Sequence, residues 1–414
     1  MNRSLLWSFL CILFSCSPPF SEDEHLLLSL MESESAKFQE ILQKADSLEV
    51  QILYTQINRD VKNRPTFKSF YFRVDSANYF YPASTVKLPL VLLSLQKLNE
   101  LNVKGLNKFT PMFLDSIYSG QRSVKVDATE ENGLPSIAHY VRKILLVSDN
   151  DAANGLYEFM GQRGANNELR SKGYNIRLLH RLGRGLTPDQ NRHTEAARFV
   201  RNDSLIYRQP MLINPDSMRP ARRVLKGKGY LKDGVVVKQP FDFTYKNSYP
   251  LEEQQAILKA VIFPNMVPPG KRFNLTEIDR QFVLRYMSQL PRETRYPSYK
   301  NDTSLYDASC KFLMFAEDRR PIPGNIRIFN KIGGAYGYLI DNAYIVDFDK
   351  GVEFMLSAVI NTNIDGIYDD DKYAYSTIGY PFMRNLGQLI YRYELNRKRD
   401  RRPDLGEFKL TYDQ

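Results

Sequence analysis

Histidine, cysteine and tryptophan are all scarce in this chain: four, three and one in 414 residues. His139, His180 and His193 stand at no spacing that would let them share a metal ion, so neither a metal centre nor another cofactor site is expected. Cys11, Cys16 and the single tryptophan, Trp7, crowd the N-terminus. Behind them only Cys310 remains, which excludes an intrachain disulfide in the body of the protein and leaves stability to its core. No later apolar run reaches the roughly 20 residues that a membrane-spanning helix needs. Phosphate-binding glycine loops, nucleic-acid modules and internal repeats are also missing, so no nucleic-acid partner is expected. What is present is an ordinary globular composition, 43% hydrophobic and 25% charged, long enough for a large core. Bases exceed acids to a net charge of +10, which favours an anionic partner or surface.

The N-terminus reads as a targeting segment. Arg3 supplies a positive start, and Leu5 to Phe14 an apolar stretch too short to span a bilayer. Leu13-Phe14-Ser15-Cys16 resembles a bacterial lipobox, with Phe14 bulkier than the usual occupant. The resemblance implies a signal peptide over 1–15, lipidation of Cys16 and a tether over 16–24. The mature chain would then be an exported, membrane-anchored bacterial lipoprotein of the periplasm or outer membrane.

The stretch Tyr81-Pro82-Ala83-Ser84-Thr85-Val86-Lys87 opens a strongly apolar run from Leu88 to Leu98. Ser84 and Lys87 are close to one helical turn apart and share a face. The run covers all sides of a helix, so the helix is expected to be buried, and Pro89 implies that its regular part begins late. A hydroxyl with an amine one turn away, on a buried helix, is a rigid setting for a nucleophile. Ser94 and Lys97 repeat the spacing inside the same helix, without a start signal, and read as structural.

Around this stretch, helical spacing is expected over 25–47 and strands over 50–57 and 69–74. A helix over 135–147 should stop at Ser148-Asp149-Asn150, where Asp149 or Asn150 caps the next one. Residues 192–273 differ: they hold 15 lysines and arginines against 7 acids and many prolines. They read as a basic insertion containing a hairpin that turns at Asp233-Gly234, its charge a solvated face or a surface for an anionic polymer. An amphipathic helix from Asn274, a strand running into Lys331-Ile332-Gly333, a hairpin across Asp349-Lys350-Gly351 and a helix over 380–394 close the chain. A basic tail over 395–414 should be solvated. Helices flanking terminal strands point to an α+β or layered αβα domain, made of 25–191 and 274–394.

Three motifs thus stand in order: Ser84-x-x-Lys87, Ser148-Asp149-Asn150 and Lys331-Ile332-Gly333. In this order and setting the chain resembles the serine β-lactamase and penicillin-recognising hydrolase family, closest to class A. The resemblance implies a β-lactamase/transpeptidase-like fold, an antiparallel sheet flanked by helices, with the inserted mixed segment. It implies that Ser84 forms an acyl-enzyme with Lys87 as its base, and that Ser148 relays the proton. Asn150, Lys331 and Gly333 would bind substrate, and the backbone N–H groups of Ser84 and Gly334 would form the oxyanion hole.

Two departures stand out. Ile332 replaces the usual Thr or Ser, whose hydroxyl donates to the substrate carboxylate. Arg181-Leu182-Gly183-Arg184 resembles the start of the family's omega loop, yet Gly185 to Asn191 contain no deacylating glutamate, leaving Asp189 or Glu195 as stand-ins. The implied activity is hydrolysis of a β-lactam. A D-Ala-D-Ala peptidase or esterase on peptidoglycan-like substrates is the near rival, and a catalytically idle cell-envelope binding lipoprotein the distant one.

Overall fold

A computed structural model describes residues 22–117, 123–218, 220 and 222–413. The leader, Cys16 and most of the expected tether lie outside the described residues, and a helix already begins at Glu22. Among the described residues no helix is long and apolar enough to cross a membrane.

Five strands make the central sheet: β1 (Gln51–Arg59), β2 (Pro65–Phe72), β3 (Ile326–Ala335), β4 (Tyr338–Asp347) and β5 (Val352–Asn361). Their order is β3-β4-β5-β1-β2, antiparallel throughout. Every residue of β4 and β5 is buried, so both faces of the sheet are covered. Alternation sorts the side chains: Tyr344 and Val346 join one core, Ala343 and Ile345 the other. The second core lies under the N-terminal helices, Glu22–Ser33 and Ser35–Gln43, and the C-terminal helix Tyr380–Asn396. The first is covered by Lys87–Leu101, Ile137–Val147, Asn150–Met160, Leu251–Ile262 and Glu277–Ser288. The architecture is therefore the expected α+β, with an antiparallel sheet between two helical layers.

Two boundaries drawn from composition differ from the structure. The stretch 192–273 is not set apart. Its strand Ala196–Arg201 pairs with Met112–Asp115, and its helix Leu251–Ile262 puts Ile257, Leu258 and Val261 into the main core. Gln255 on that helix hydrogen-bonds Leu53 O of β1 and Ser357 Oγ of β5, both at 3.0 Å. Charge excess reports the outward faces of a segment and is blind to an inward one. The short strands between 225 and 242 lie outside the central sheet but pack on it through Tyr230 and Phe241, with Gly229–Tyr230 running beside Ile367–Tyr368.

The basic tail is only partly solvated: Lys398, Arg401 and Arg402 are exposed, but the tail also packs back on the body. Leu405 and Phe408 are buried, with Phe408 packed on Phe329 and Tyr344. Arg397 and Arg399 pair with the fully buried Glu394, which also accepts a hydrogen bond from Tyr54. The bases are there to balance a carboxylate taken out of water.

Candidate active site

The chain enters the helix expected to carry the nucleophile through a tight turn, Ala83–Val86, before the regular helix Lys87–Leu101. Thr85 ties the turn back to Pro82 O, through its N–H at 3.1 Å and its hydroxyl at 2.7 Å. Pro89 falls in the first turn of the regular helix, where its missing N–H costs nothing. Ala83, the residue before Ser84, has φ of +47°, and Ser148 has φ of +61°. Left-handed backbone at non-glycine residues is strained, and here it occurs at two of the three motifs.

Ser148 caps the helix Ile137–Val147, and Asp149 starts the next by accepting from Ala152 N at 2.7 Å. This hairpin of two helices delivers Ser148 and Asn150 to Lys87. The Lys87 side-chain nitrogen lies within hydrogen-bond reach of Ser148 O, of Asn150 Oδ1 at 2.7 Å and of Ser148 Oγ at 3.3 Å. From the sheet side, Lys331 Nζ reaches the same Ser148 Oγ at 2.8 Å and Ile332 O at 3.0 Å. One hydroxyl thus lies between two lysines. Lys87 is completely buried; burial first, and then the charge of Lys331, hold its pKa well below the ordinary lysine range. Burial brings Lys331 down to about 8. Ser84, Asn150 and Gly334 line one cleft of about 650 Å³.

Gly333 explains itself by a close approach. A Cβ there would stand 2.8 Å from Pro82 O and 3.2 Å from Ala83 Cβ. The edge strand β3 therefore touches the nucleophile turn at a point only glycine permits. If Ser84 takes an acyl group from a penicillin, Gly333→Ala should push β3 off this turn and slow that step by about ten-fold or more, since small misplacements of reacting groups are costly. Timed mass spectrometry of the adduct, beside an unchanged far-ultraviolet spectrum, measures this.

The segment 181–192 packs over the site. Asn154 Nδ2 donates to Leu182 O at 3.0 Å, and its Oδ1 accepts from Leu182 N at 2.9 Å. Arg181 and Glu158 form a buried bidentate pair at 2.6 and 2.9 Å. Neither proposed stand-in reaches Ser84. Asp189 pairs with Arg192 in the short helix Pro188–Arg192, and Glu195 accepts from Ile117 N on the wall of another cavity. The described residues lining the cleft include only two carboxylates, Asp369 and Asp371. Ile332 packs into the core beneath the C-terminal helix and offers no hydroxyl.

Several residues in the cleft carried no signal in the sequence. His180 stacks on Tyr81 with ring centres 5.9 Å apart, and burial pushes its pKa down to about 4, so it is neutral. Tyr336, Phe241 and Lys246 form the far wall. The acidic run 369–371 contributes the two carboxylates just named.

Residues 34–233 match the family model described as the "Beta-lactamase enzyme family", a span that includes Ser84, Lys87, Ser148 and Asn150. Among solved structures, a β-lactamase from Sphaerobacter thermophilus is 13% identical with a TM-score of 0.48, covering 88% of this chain and 97% of its own. A β-lactamase from Xanthomonas campestris is 15% identical with a TM-score of 0.45, over 87% and 98%. A mutant of PBP-A, solved as its acyl-enzyme complex with penicillin G, is 14% identical with a TM-score of 0.46, over 89% and 96%. No curated protein matches in sequence.

Proposed function

We propose that this chain is a serine β-lactamase-like protein that works by acyl transfer on Ser84, with β-lactams or related peptide amides as acyl donors. The observation that carries the reading is the pair of buried lysines sharing Ser148 Oγ. Lys87, kept neutral by burial and by its neighbour's charge, takes the proton of Ser84 as Oγ attacks the carbonyl carbon. The new C–O bond forms as the C–N bond breaks. Ser148 hands its proton to the departing nitrogen and is reprotonated from Lys87. Lys331, charged, draws the substrate carboxylate, and the N–H groups of Ser84 and Gly334 receive the oxyanion. Asn150 holds the Lys87 amine and orients the substrate amide.

Completing hydrolysis requires a water activated against the acyl-enzyme. The segment 181–192 brings no carboxylate to the cleft, so deacylation is slow and the acyl-enzyme long-lived. This favours the behaviour of a penicillin-binding protein over rapid β-lactam turnover. The leader composition supports a place for the enzyme as a lipoprotein anchored through Cys16. Residues 25–414 mixed with benzylpenicillin should gain one penicillin mass, located on Ser84 by peptide mapping and persisting after dilution. Rapid hydrolysis without an adduct would replace the slow-turnover reading with a β-lactamase one. Neither adduct nor hydrolysis would remove β-lactams as donors.

A further inference from the structure

Beyond Ser84 the cleft continues along β3, away from Lys331. From Lys331 to Tyr336 the strand and its turn span about 15 Å at the usual rise per residue. A substrate whose leaving half sits at Lys331 therefore extends its acyl half towards Tyr336. The far end is built by elements distant in the sequence. Lys246 follows the short strand Phe241–Asp242, and Asp369 and Asp371 come from the loop after β5.

The charges at this end are placed and incompletely used. Lys246 Nζ lies 3.3 Å from Tyr336 Oη and over the faces of Tyr336 and Phe241, 5.5 and 5.7 Å from their ring centres. It forms no ion pair among the described residues. Burial lowers its pKa, and Asp369, within electrostatic reach, only partly offsets that. Asp369 has its own pKa raised by burial. Its loop is pinned: Asp369 N donates to Tyr373 Oη at 2.9 Å, and Ile367–Tyr368 pair with Gly229–Tyr230. Both Asp369 and Asp371 adopt left-handed backbone, with φ of +59° and +56°. A cation and two anions thus share one cleft without closing on each other, and Tyr81, Tyr336 and Phe241 supply apolar faces between Ser84 and the charges.

We propose that this end of the cleft is a subsite for a zwitterionic amino-acid head group on the acyl half of the substrate, its carboxylate on Lys246 and its ammonium on Asp369 and Asp371. The aromatic faces cover the aliphatic stem that joins this head group to the scissile amide. The substrate class is then an amide whose acyl side chain ends in a free α-amino acid. The inference rests on acyl transfer at Ser84.

Three cephalosporins with one nucleus and one leaving group separate the parts. Cephalosporin C carries an α-aminoadipyl side chain, adipyl-7-aminocephalosporanic acid the same chain without the amine, and cephalothin an uncharged one. The second-order rate of Ser84 acylation, from timed intact mass spectrometry, should fall in that order, by about ten-fold or more for each charged group taken from the side chain. Lys246→Met should bring the ratio of the adipyl compound to cephalothin towards one. Asp369→Asn with Asp371→Asn should do the same for the ratio of cephalosporin C to the adipyl compound. Equal rates for the three in the wild type, or ratios unchanged in the variants, overturn the subsite while leaving acyl transfer standing. Neither adduct nor hydrolysis with any of the three overturns β-lactam acyl transfer at Ser84, and the subsite with it.

Discussion

Ser84→Ala should form no penicillin adduct at all, and Lys87→Met should form it about 10²- to 10⁴-fold more slowly than the wild type, the usual worth of a positioned general base. Methionine keeps most of the volume of the buried lysine stem and removes only the amine. The completely buried site tolerates that exchange, because an apolar tip in a closed pocket carries no desolvation penalty. The amine's partners, Ser148 and Asn150, lie at the site's edge and turn to Lys331 or water. Intact mass against time reads both variants. An adduct on Ser84→Ala would mean another nucleophile, and an unchanged rate in Lys87→Met another base.

The pH profile gives a second reading of the same pair. Lys87 must be neutral, so acylation rises with pH through its depressed pKa. Lys331 must be charged to hold a substrate carboxylate, so acylation falls as pH passes about 8. The profile is a bell with its alkaline limb near pH 8. An ester donor without a carboxylate should lose that limb and keep the acid one.

The largest expected loss of stability lies elsewhere. Glu353 on β5 accepts both guanidinium N–H groups of Arg59 on β1, at 2.6 and 2.7 Å, and Tyr344 Oη of β4 at 2.7 Å. Glu353 is 1% exposed and Arg59 5%. Glu353→Ala leaves a buried guanidinium and a buried hydroxyl unmatched, at a cost of about 3–5 kcal/mol. Replacing both charges, Arg59→Met with Glu353→Leu, should recover most of it, because the desolvation of two ions is removed together. Urea midpoints of the three proteins decide this. A single variant as stable as the wild type would show that water reaches the pair.

The contrast between what was legible in the sequence and what was not follows the range of the signal. Ser84 and Lys87 share a helical face, and an apolar run marks their helix as buried, so local periodicity exposes both. Ser148-Asp149-Asn150 shows as a stop beside a cap, and β4 and β5 as apolar runs about a turn. The failures are long-range. Leu251–Ile262 lies in a basic stretch, and its inward face reveals itself only by packing on three strands of the sheet. Phe408 lies a few residues past a run of arginines, and Arg397 and Arg399 gain meaning only from Glu394. Lys246 looks like any surface lysine until the loop at 369–371 is folded against it. No local pattern records such a meeting.

The sheet order carries a consequence for how the chain is made. β1 lies between β2 and β5, with Tyr54 paired to Leu356. A hairpin of β1 and β2 leaves the ribosome with one edge open and waits for most of the chain before β5 arrives to fill it. Pairings of such sequence separation close slowly, because the intervening loop must be ordered first. Phe408, wedged on Phe329 and Tyr344, adds a contact that forms only after all five strands have been made. The central sheet is therefore completed late in synthesis, and until β5 arrives the hairpin of β1 and β2 keeps an open edge.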